Sequence, residues 1–398
     1  MKRAYRNFAD MIRQADPNAS LAIEFWDGEA LSLSNKPKVT LRFKSEDTAR
    51  DLLARKWLAF GEAYTTGDIE VEGDLREPLR LGLAVNFDGA APTLRQKLEL
   101  FRTYVKTLNT RTRSSENISY HYDRGNDFYA LYLDKTMSYS CAYFENGCDS
   151  LEKAQLSKYE HICRKLMLKS DDRLVDIGCG WGGMLIYAAK NYGIRGLGCT
   201  ISNNQYEYAN NKIRELGLQK RVEVVLEDYR NLKGKFDKFV SIGMFEHVGK
   251  EFIPLFLKKT SQVLDRGGIG LLHTIGKDAQ SSRDPWIMKY IFPGGYLPYL
   301  GEVIEGMGKK GFSILDVENL RMHYAKTLEL WTENFERNID KVQEMFDEAF
   351  VRMWRLYLNS CAVAFKYGEP RLYQILFSNG LNNTLPLTRS HCYAPHCN

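Results

Sequence analysis

A glycine-rich turn between an apolar run and a helical segment constrains this chain most. Residues 173–177 have the length and apolar character of a short buried strand, and residues 184–192 have helical spacing. Between them lies Gly178-Cys179-Gly180-Trp181-Gly182, with Asp176 two residues before the first glycine. Glycine lets a backbone turn tightly and approach a ligand without Cβ clashes. The pattern predicts a ligand cradle at the end of a strand, and a glycine turn without a ligand is the alternative.

The segments that follow continue this alternation of strands and helices. Such alternation indicates βαβ units and a mainly parallel sheet, and therefore an α/β fold. A long stretch from Leu330 to Tyr357 has apolar residues at intervals of three and four, which is typical of helices with one apolar face. The predicted segments are strands at 196–200, 222–226, 239–242, 269–273, 313–317 and 373–377, and a helix at 203–216.

The amino-terminal part of the chain has a different pattern, and it carries no motif that is typical of catalysis or ligand binding. Alternating strands are predicted around 22–28, 39–43 and 69–71, with a helix over 47–60. These features favour a packing or docking role. The predicted domains are a small α+β amino-terminal domain at 1–93, for docking or membrane contact, a helix and linker at 94–115, a catalytic domain at 116–385 and a flexible tail at 386–398.

The charge balance gives no support for nucleic-acid binding. Lys and Arg number 55 against 50 Asp and Glu, and the net charge of +5 is mild. The basic segment 109–115 is either a solvated linker or a contact for lipid phosphates. The longest apolar runs fall far short of the ~20 residues that a membrane span needs.

The cysteines do not form a disulfide or metal-binding framework. Eight cysteines are scattered without a CxxC pair, which is typical of reduced thiols in a cytoplasm. The tail holds one Cys/His cluster, made of His391, Cys392, His396 and Cys397. Its spacing would suit a metal, but a loose terminal tail is the favoured interpretation, so no metal site is predicted.

Long motifs beside the glycine turn carry a family resemblance. The turn, with its preceding acid, resembles the first motif of S-adenosylmethionine-dependent methyltransferases. Together with four further stretches it resembles the cyclopropane-fatty-acyl-phospholipid synthases and their mycolic acid cyclopropane synthase relatives, over roughly residues 115–380. Shorter matches lie at 285–287, 290–293 and 358–362. The four stretches are Tyr120–Phe128, Met137–Phe144, Ser241–Gly249 and Leu271–Gly276.

The resemblance implies a Rossmann-like class I methyltransferase sheet with helical insertions that line a lipid channel. It also implies methylene transfer from S-adenosylmethionine to the cis double bond of a phospholipid acyl chain, through a carbocation that bound bicarbonate deprotonates. S-adenosylhomocysteine is the second product. A cytoplasmic homodimer that binds the inner membrane face reversibly is the expected state. Alternatives are an olefin methyltransferase that closes no ring and a non-catalytic lipid-binding protein.

The resemblance also implies the cofactor site. The second strand ends without the acid that often holds the ribose, so Thr200 and Gln205 are expected to supply neutral hydrogen bonds. Asp228 and Tyr229 follow the third strand, where the adenine is expected. The implied cofactor-binding residues are Tyr139, Ser140, Asp176, Gly178, Gly180, Trp181, Gly182, Thr200, Ile201, Gln205, Asp228 and Tyr229.

The catalytic residues implied by the resemblance form a polar nest for bicarbonate. Cys361 is added as a residue that lines the acyl channel, and structural packing is the alternative. Cys141 is expected to contribute its backbone and shape, because the reaction needs no thiolate nucleophile. Aromatic faces attract cations, so Tyr324, Tyr143 and Phe245 are candidates to stabilise the carbocation. The nest is expected to contain Cys141, Glu246, His273, Ile275 and Tyr324.

Three segments around the nest have supporting roles in this interpretation. Residues 120–127 form a lid over the cofactor, with His121 or Tyr122 closing it. His247 supports the nest from behind Glu246. The helices from Leu330 to Phe365 form a wall of the acyl channel, although an apolar helical face is more often ordinary core.

Overall fold

A computed structural model describes residues 1–87, 124–147, 149–281 and 284–393. Within these ranges the chain forms two compact units. The amino-terminal unit is drawn from 1–106, 282–293 and 328–369, and the sheet unit from 107–281, 294–327 and 370–398. This division differs from the predicted domains, because the segments 282–293 and 328–369 belong to the amino-terminal unit and not to one catalytic domain at 116–385.

The elements are numbered in chain order over the described residues. The strands are β1 Leu21–Glu24, β2 Ala30–Ser32, β3 Val39–Phe43, β4 Ile69–Glu72, β5 Arg173–Ile177, β6 Arg195–Thr200, β7 Val222–Leu226, β8 Phe236–Ile242, β9 Leu264–Lys277, β10 Phe312–Asn319 and β11 Pro370–Asn379. The helices are α1 Lys2–Ala15, α2 Glu46–Arg55, α3 Trp57–Thr66, α4 Arg76–Ala84, α5 Asn126–Ala130, α6 Leu151–Leu166, α7 Gly183–Tyr192, α8 Asn203–Glu215, α9 Ile253–Val263, α10 Pro285–Tyr290, α11 Leu300–Lys309, α12 Arg321–Arg337, α13 Ile339–Met345, α14 Glu348–Tyr367 and α15 Ser390–Tyr393.

The sheet unit is built on seven strands in the order β10-β11-β9-β8-β5-β6-β7. β5 pairs in parallel with β6 and β8, and the parallel pairing continues to β7 and β9. β11 runs antiparallel to both β9 and β10. The predicted α/β class with a mainly parallel sheet is therefore confirmed. β9 is longer than the predicted 269–273, because Gly267 and Gly268 interrupt the apolar pattern that marked its centre.

Alternation along the central strands buries both faces of this sheet. Successive side chains of a strand point to opposite faces. Phe239 and Leu272 join one apolar cluster, whereas their neighbours Val240 and Leu271 join another. Because both faces are covered, ligands have access at the strand ends, and parallel strands bring their carboxyl ends to one edge.

The amino-terminal unit has a four-stranded sheet in the order β2-β1-β3-β4. The predicted helix over 47–60 is two helices, α2 and α3, because Lys56 has a left-handed φ of 55° that ends the first. α1 was not predicted. Gly61 allows the close approach of Trp286, since a Cβ at Gly61 would lie 2.2 Å from the indole Cδ1.

Helix α14 packs on α3 and α4 within this unit. Arg352 donates from Nη2 to the Ile69 carbonyl at 2.9 Å and from Nη1 to Glu70 at 3.0 Å. An aromatic row from Phe346 through Phe350 to Trp354 stacks along the same segment. The role of these helices as a channel wall stays a prediction.

The end of the chain is packed as far as it is described. Cys392 is 3% exposed, and Arg389 pairs with Asp316 at 2.7 Å, which differs from the predicted flexible tail. His396 and Cys397 lie outside the described residues, as do the helix and basic linker predicted at 94–115 and the lid residues His121 and Tyr122. Among the described helices, none has a stretch long and apolar enough to cross a membrane.

Candidate active site

A cleft opens in the sheet unit where the parallel strands β5, β6 and β8 end. It encloses about 1090 Å³ between atoms, with open solvent at its mouth included. The structure brings all the implied cofactor residues to its wall except Gly182. Those that line it are Tyr139, Ser140, Asp176, Gly178, Gly180, Trp181, Thr200, Ile201, Gln205, Asp228 and Tyr229.

The glycine turn shapes the floor of this cleft. Gly178 has a φ of +79°, and a Cβ there would lie 2.5 Å from Met244 Cγ. Gly180 has a φ of +54°, and a Cβ there would meet no protein atom within 4 Å, so it faces open cleft space. Gly182 caps α7 in the left-handed region and serves the turn. A side chain at 180 would therefore project into the space left for a ligand.

Two buried ionisable side chains face the cleft from different elements. Asp176 is 2% exposed, its Oδ1 has no hydrogen-bond partner among the described residues, and burial raises its pKa to about 7. Lys158 on α6 donates to Ser140 Oγ at 2.9 Å and to Gln155 Oε1 at 2.7 Å. Burial lowers the pKa of Lys158 to about 8. Sequence reasoning missed Lys158, although its spacing of three from Gln155 places both on one helical face.

Neutral and charged polar groups line the far wall of the cleft. Thr200 donates to Gln205 Oε1 at 2.7 Å, and both side chains are buried. Ser202 caps α8 beside them. Asp228 accepts from Arg230 Nε at 2.8 Å, so its carboxylate already has a cationic partner that the sequence did not reveal. This wall can offer hydrogen bonds to a sugar and a base.

The residues over the cradle are aromatic. Trp181 donates from Nε1 to Asn126 Oδ1 at 2.8 Å, which joins the described end of the predicted lid to the glycine turn. Tyr129 packs on Trp181 with ring centroids 5.3 Å apart. His247 lines the cleft itself instead of standing behind Glu246, and burial lowers its pKa to about 4, so it is neutral.

A polar cluster lies beside the cleft, between the ends of β8 and β9. Glu246 Oε1 accepts from the Ile275 amide at 2.5 Å, so this amide, which the resemblance assigns to bicarbonate, is bonded to Glu246 here. The Gln374 amide lies 3.2 Å from His273 Nδ1, a contact that the sequence did not predict. Glu246 Oε2 and His273 Nε2 are buried without a hydrogen-bond partner within the described structure.

Burial sets the protonation of this cluster. It raises the pKa of Glu246 to about 7 and holds the pKa of His273 well below its usual value. His273 is therefore neutral, and its free Nε2 can donate a proton in hydrogen bonding when Nδ1 accepts from Gln374. The unsatisfied His273 Nε2 can therefore offer a hydrogen-bond donor, and the unsatisfied Glu246 Oε2 a carboxyl oxygen.

Cys141 and Tyr324 are joined to the cluster through contacts that meet at the Leu320 carbonyl. The Tyr324 amide donates to the Leu320 carbonyl at 3.1 Å, and the Leu320 amide to the Leu372 carbonyl at 2.8 Å. Leu372 in turn pairs with Ile275 across β11 and β9. Cys141 lies against the same Leu320 carbonyl at 4.0 Å from its Sγ. Burial raises the pKa of the Cys141 thiol, which keeps it protonated.

The sheet register connects the cluster with the cleft. Ile242 pairs with His273, and the Gly243 amide donates to the His273 carbonyl at 2.9 Å. Ile242 and Gly243 both line the cleft. The structure therefore brings the implied cofactor residues and the nest residues of this unit to one edge of the sheet.

Two of the aromatic candidates are placed differently from the prediction. Tyr143 lies between His161 and His323, with centroids 4.2 and 4.9 Å away and rings nearly parallel. The prediction that Tyr143 offers a ring face to a cation is wrong, because both faces are covered. Phe245 packs edge-on against Phe256 in the apolar core of the sheet unit.

Tyr324 is 8% exposed and remains the aromatic candidate in the sheet unit. Cys361 belongs to the amino-terminal unit, on α14, where burial raises the pKa of its thiol to about 12. Its role in an acyl channel stays a prediction.

The cleft fits the amino-acid and nucleoside parts of S-adenosylmethionine. A buried carboxylate with a free oxygen suits an ammonium, and Thr200, Gln205 and Asp228 offer hydrogen bonds to a nucleoside. The open space at Gly180 leaves room for the ligand backbone.

Comparison with known proteins agrees with this geometry. The sequence model of the mycolic acid cyclopropane synthetase family matches residues 109–375, and a domain of unknown function matches residues 8–83. A probable fatty acid methyltransferase of Pseudomonas putida is 37% identical, over 94% of this chain and 96% of its own length. The cyclopropane-fatty-acyl-phospholipid synthase of Escherichia coli K12 is 36% identical, over 93% of this chain and 95% of its own.

Solved structures give the same result for the fold. A cyclopropane synthase from Mycobacterium tuberculosis matches with a TM-score of 0.64 at 32% identity, covering 66% of this chain and 98% of its own. A mycolic acid cyclopropane synthase in complex with S-adenosylhomocysteine and CTAB matches with a TM-score of 0.63, also at 32% identity and with the same coverage. The chain therefore belongs to the mycolic acid cyclopropane synthetase family and is an enzyme of the S-adenosylmethionine-dependent methyltransferase class.

Proposed function

We propose that the protein transfers a methylene group from S-adenosylmethionine to a cis double bond in the acyl chain of a membrane phospholipid, forming a cyclopropane ring. The relative from Escherichia coli is named for this reaction and aligns along nearly the whole chain. The observation that carries the proposal is the pair of buried, unsatisfied atoms Glu246 Oε2 and His273 Nε2 beside the cofactor cleft. Ring closure needs a base at this place, and open methyl transfer does not need one to act on the new methyl.

The cofactor, when bound, supplies an electrophilic methyl group on its sulfonium. The protein's contribution is to hold an olefin against that methyl, and well-oriented reactants can gain ~7–11 kcal/mol of the barrier in this way. It also excludes water, which would trap a cationic acyl chain as an alcohol. Glu246 and His273 are 6% and 1% exposed, so their surroundings are dry. Tyr324 is the aromatic group that stabilises the cation.

Bicarbonate held at this place would supply the base for the proton of the added methyl. Glu246 and His273 would hold it, since His273 Nε2 can donate to an anionic oxygen and Glu246 Oε2 can accept the bicarbonate proton. Ile275 acts on this site through its hydrogen bond to Glu246. Cys141 contributes its backbone, because its buried thiol stays protonated.

The second candidate is methyl transfer to the same kind of olefin without ring closure. The relative from Pseudomonas putida, named a probable fatty acid methyltransferase, is similar over 94% of this chain. A sphingolipid C9-methyltransferase of Komagataella phaffii is also 31% identical, over 81% of the chain. Their names favour a lipid as the acceptor in either case, and the polar cluster would then decide whether the cation closes to a ring.

Product analysis with S-adenosylmethionine that carries a trideuterated methyl tests the proposal. A host membrane containing monounsaturated phospholipids is incubated with the protein and the labelled cofactor. Ring closure leaves two deuteria on the acyl chain, and the product resists ozonolysis. A branched olefin that retains three deuteria and is cleaved by ozone would favour the second candidate. Unlabelled lipid in the presence of active protein would reject both.

We also propose that the amino-terminal unit docks the enzyme reversibly on anionic membranes and that the protein works as a cytoplasmic homodimer. The net charge of +5 supports attraction to anionic lipid. Co-sedimentation with vesicles of phosphatidylglycerol and of phosphatidylcholine, at low and high salt, checks the membrane contact. Sedimentation velocity checks the dimer. Binding that ignores lipid charge and salt would contradict the electrostatic part.

A further inference from the structure

Lys158 is a buried cation that the proposed reaction has not used. It is 1% exposed, projects from α6 and lines the cofactor cleft. Its Nζ donates to two neutral acceptors, Ser140 Oγ and Gln155 Oε1. An ammonium has three donors, so one remains. Among the described residues no carboxylate pairs with Lys158 within the 4.0 Å of an ion pair, whereas the other fully buried lysine, Lys165, pairs with Glu318.

Asp176 presents the opposite charge from the strand end. Its side chain is buried, and its Oδ1 has no partner in the described part of the chain. Buried charges are normally paired, because an unpaired charge loses its hydration without compensation. The cleft thus holds one cation and one carboxylate that are buried together but not joined. A ligand with a carboxylate and an ammonium would satisfy both at once.

We propose that Lys158 binds the α-carboxylate of the cofactor's amino-acid end, while Asp176 binds its α-ammonium. The inference rests on S-adenosylmethionine as the ligand of this cleft and assigns the charged partner within it. Lys158 also positions Ser140, through the hydrogen bond to its hydroxyl, on the segment that ends at Cys141. The carboxylate therefore links cofactor binding to the segment that ends at Cys141.

The pKa shifts of Lys158 and Asp176 agree with this assignment. Burial lowers the pKa of Lys158 to about 8, and Asp176 is among the groups that raise it. Burial raises the pKa of Asp176 to about 7, and Lys158 acts in the opposite direction. Both charged forms are weakened by desolvation, so a zwitterionic ligand strengthens each of them by supplying the missing partner.

The competing explanation is that Lys158 only supports the fold of the loop at Ser138–Cys141. Gln155 also holds that loop, through hydrogen bonds to the Ser138 and Ser140 carbonyls. A purely structural lysine would affect every ligand of the cleft alike. A carboxylate-binding lysine affects only ligands that carry the carboxylate.

Calorimetry with two ligands separates these explanations. S-adenosylhomocysteine carries the amino-acid end, and 5′-methylthioadenosine lacks it. In Lys158→Met we expect the affinity for S-adenosylhomocysteine to fall by about tenfold to a hundredfold, the size of a lost hydrogen bond to a charged group. The affinity for methylthioadenosine should stay within about twofold of the original protein. An equal loss for both ligands would overturn the inference.

Lys238→Met is the matched control. Lys238 is a buried lysine on β8 whose Nζ donates to the Leu166 carbonyl at 2.6 Å, and it does not line the cleft. This variant should bind both ligands like the original protein. If it shows the same selective loss as Lys158→Met, the effect belongs to buried lysines in general and the inference fails.

A ligand-side change tests the same contact without any variant. The methyl ester of S-adenosylhomocysteine keeps the ammonium and masks the carboxylate. The original protein should bind the ester about tenfold to a hundredfold more weakly than the acid, and Lys158→Met should not distinguish them. Equal binding of ester and acid by the original protein rejects the inference even if the variant fails to fold. Absence of any S-adenosylhomocysteine binding by the original protein would instead reject the cofactor site itself.

Discussion

The cofactor cleft and the polar cluster adjoin at the ends of β8 and β9, yet they are made in different ways. The cleft takes its floor from one continuous segment, in which Gly178 and Gly180 adopt left-handed φ angles. The cluster takes each of its groups from a separate element, with Glu246 after β8, His273 on β9 and Gln374 on β11. A site that is formed by one continuous segment can be recognised in the sequence of that segment. A site assembled by sheet register depends on the whole fold.

The two regions also differ in the charge of their buried side chains. The cleft keeps Lys158 and Asp176 buried without an ion-pair partner among the residues that the structure describes, which favours a charged ligand. The cluster keeps Glu246 and His273 close to neutral through burial. Substitutions in the cleft should therefore change binding, and substitutions in the cluster should change turnover.

The largest effect is expected for Glu246→Gln. Loss of the carboxyl removes the group that orients the base, and general acid–base groups contribute about 10²–10⁴-fold. Turnover should fall by that factor, measured as labelled methylene entering lipid. The affinity for S-adenosylhomocysteine should stay within about twofold by calorimetry, since Glu246 does not line the cleft. Glu251→Gln, an exposed acid on the next 3₁₀ turn, is the control and should behave like the original protein. Weaker binding of S-adenosylhomocysteine by Glu246→Gln would contradict the assignment of binding to the cleft and of turnover to the cluster.

Gly180→Val should have the largest effect on the cleft side. A Cβ at this residue points into open cleft space, so the valine side chain would occupy the volume of the ligand. Binding of S-adenosylhomocysteine should become undetectable by calorimetry. Gly217→Val is a close control, because Gly217 also has a positive φ, of +69°, and an open Cβ direction but lies outside the cleft.

Both glycine variants carry the backbone cost of a left-handed β-branched residue, about 1–2 kcal/mol. Their melting temperatures should therefore fall together, and only Gly180→Val should lose the ligand. Intact binding in Gly180→Val would show that the cradle is not where the ligand lies.

The sequence predicted the contiguous parts of the molecule best. The strand at 173–177 and the strand at 222–226 were placed with their observed bounds, because an apolar run beside a glycine or a polar turn is a local signal. The long amphipathic segment was recognised as helical, but its partner was not. Its apolar face packs on α3 and α4 of the amino-terminal unit, and no local pattern encodes which surface a helix covers.

The site shows the same limit at the level of single residues. Asp176 was found because it precedes the glycines. Lys158 and Gln374 were missed because each lies on an ordinary helix or strand and reaches its partner only through tertiary packing. Tyr143 was misread as an exposed ring face, since the sequence cannot show that His161 and His323 cover it from both sides.

A smaller effect on turnover is expected for His273→Ala. Its Nε2 donor would be lost, and one hydrogen bond to a charged group contributes about 1.5–3 kcal/mol, or roughly tenfold to a hundredfold in rate. His273→Gln keeps a donor near the same place and should recover part of the loss. Binding of S-adenosylhomocysteine should not change in either variant. A loss that glutamine does not relieve would mean that the ring supports packing instead of donating a hydrogen bond.

The smallest effect is the pH dependence of S-adenosylhomocysteine affinity. The pKa of Asp176 is raised to about 7 by burial, so rising pH ionises it and strengthens its hold on an ammonium. Burial lowers the pKa of Lys158 to about 8, although Asp134, Cys141 and Asp176 act in the opposite direction. A further rise in pH therefore removes the charge of Lys158 and weakens its hold on a carboxylate. The affinity for S-adenosylhomocysteine should therefore be highest between about pH 7 and 8. It should fall by up to about tenfold at one pH unit below 7 or above 8, because a group one unit from its pKa is about nine-tenths in one form.

Calorimetric titrations from acidic to alkaline pH measure this profile. The fall in affinity at acidic pH and the fall at alkaline pH have separate controls. In Lys158→Met the alkaline fall should disappear while the acidic fall remains. Methylthioadenosine, which lacks both charges, should show neither fall with the original protein. A profile that is equally steep for both ligands would mean that the charges act on the shape of the cleft and not on the amino-acid end of the ligand.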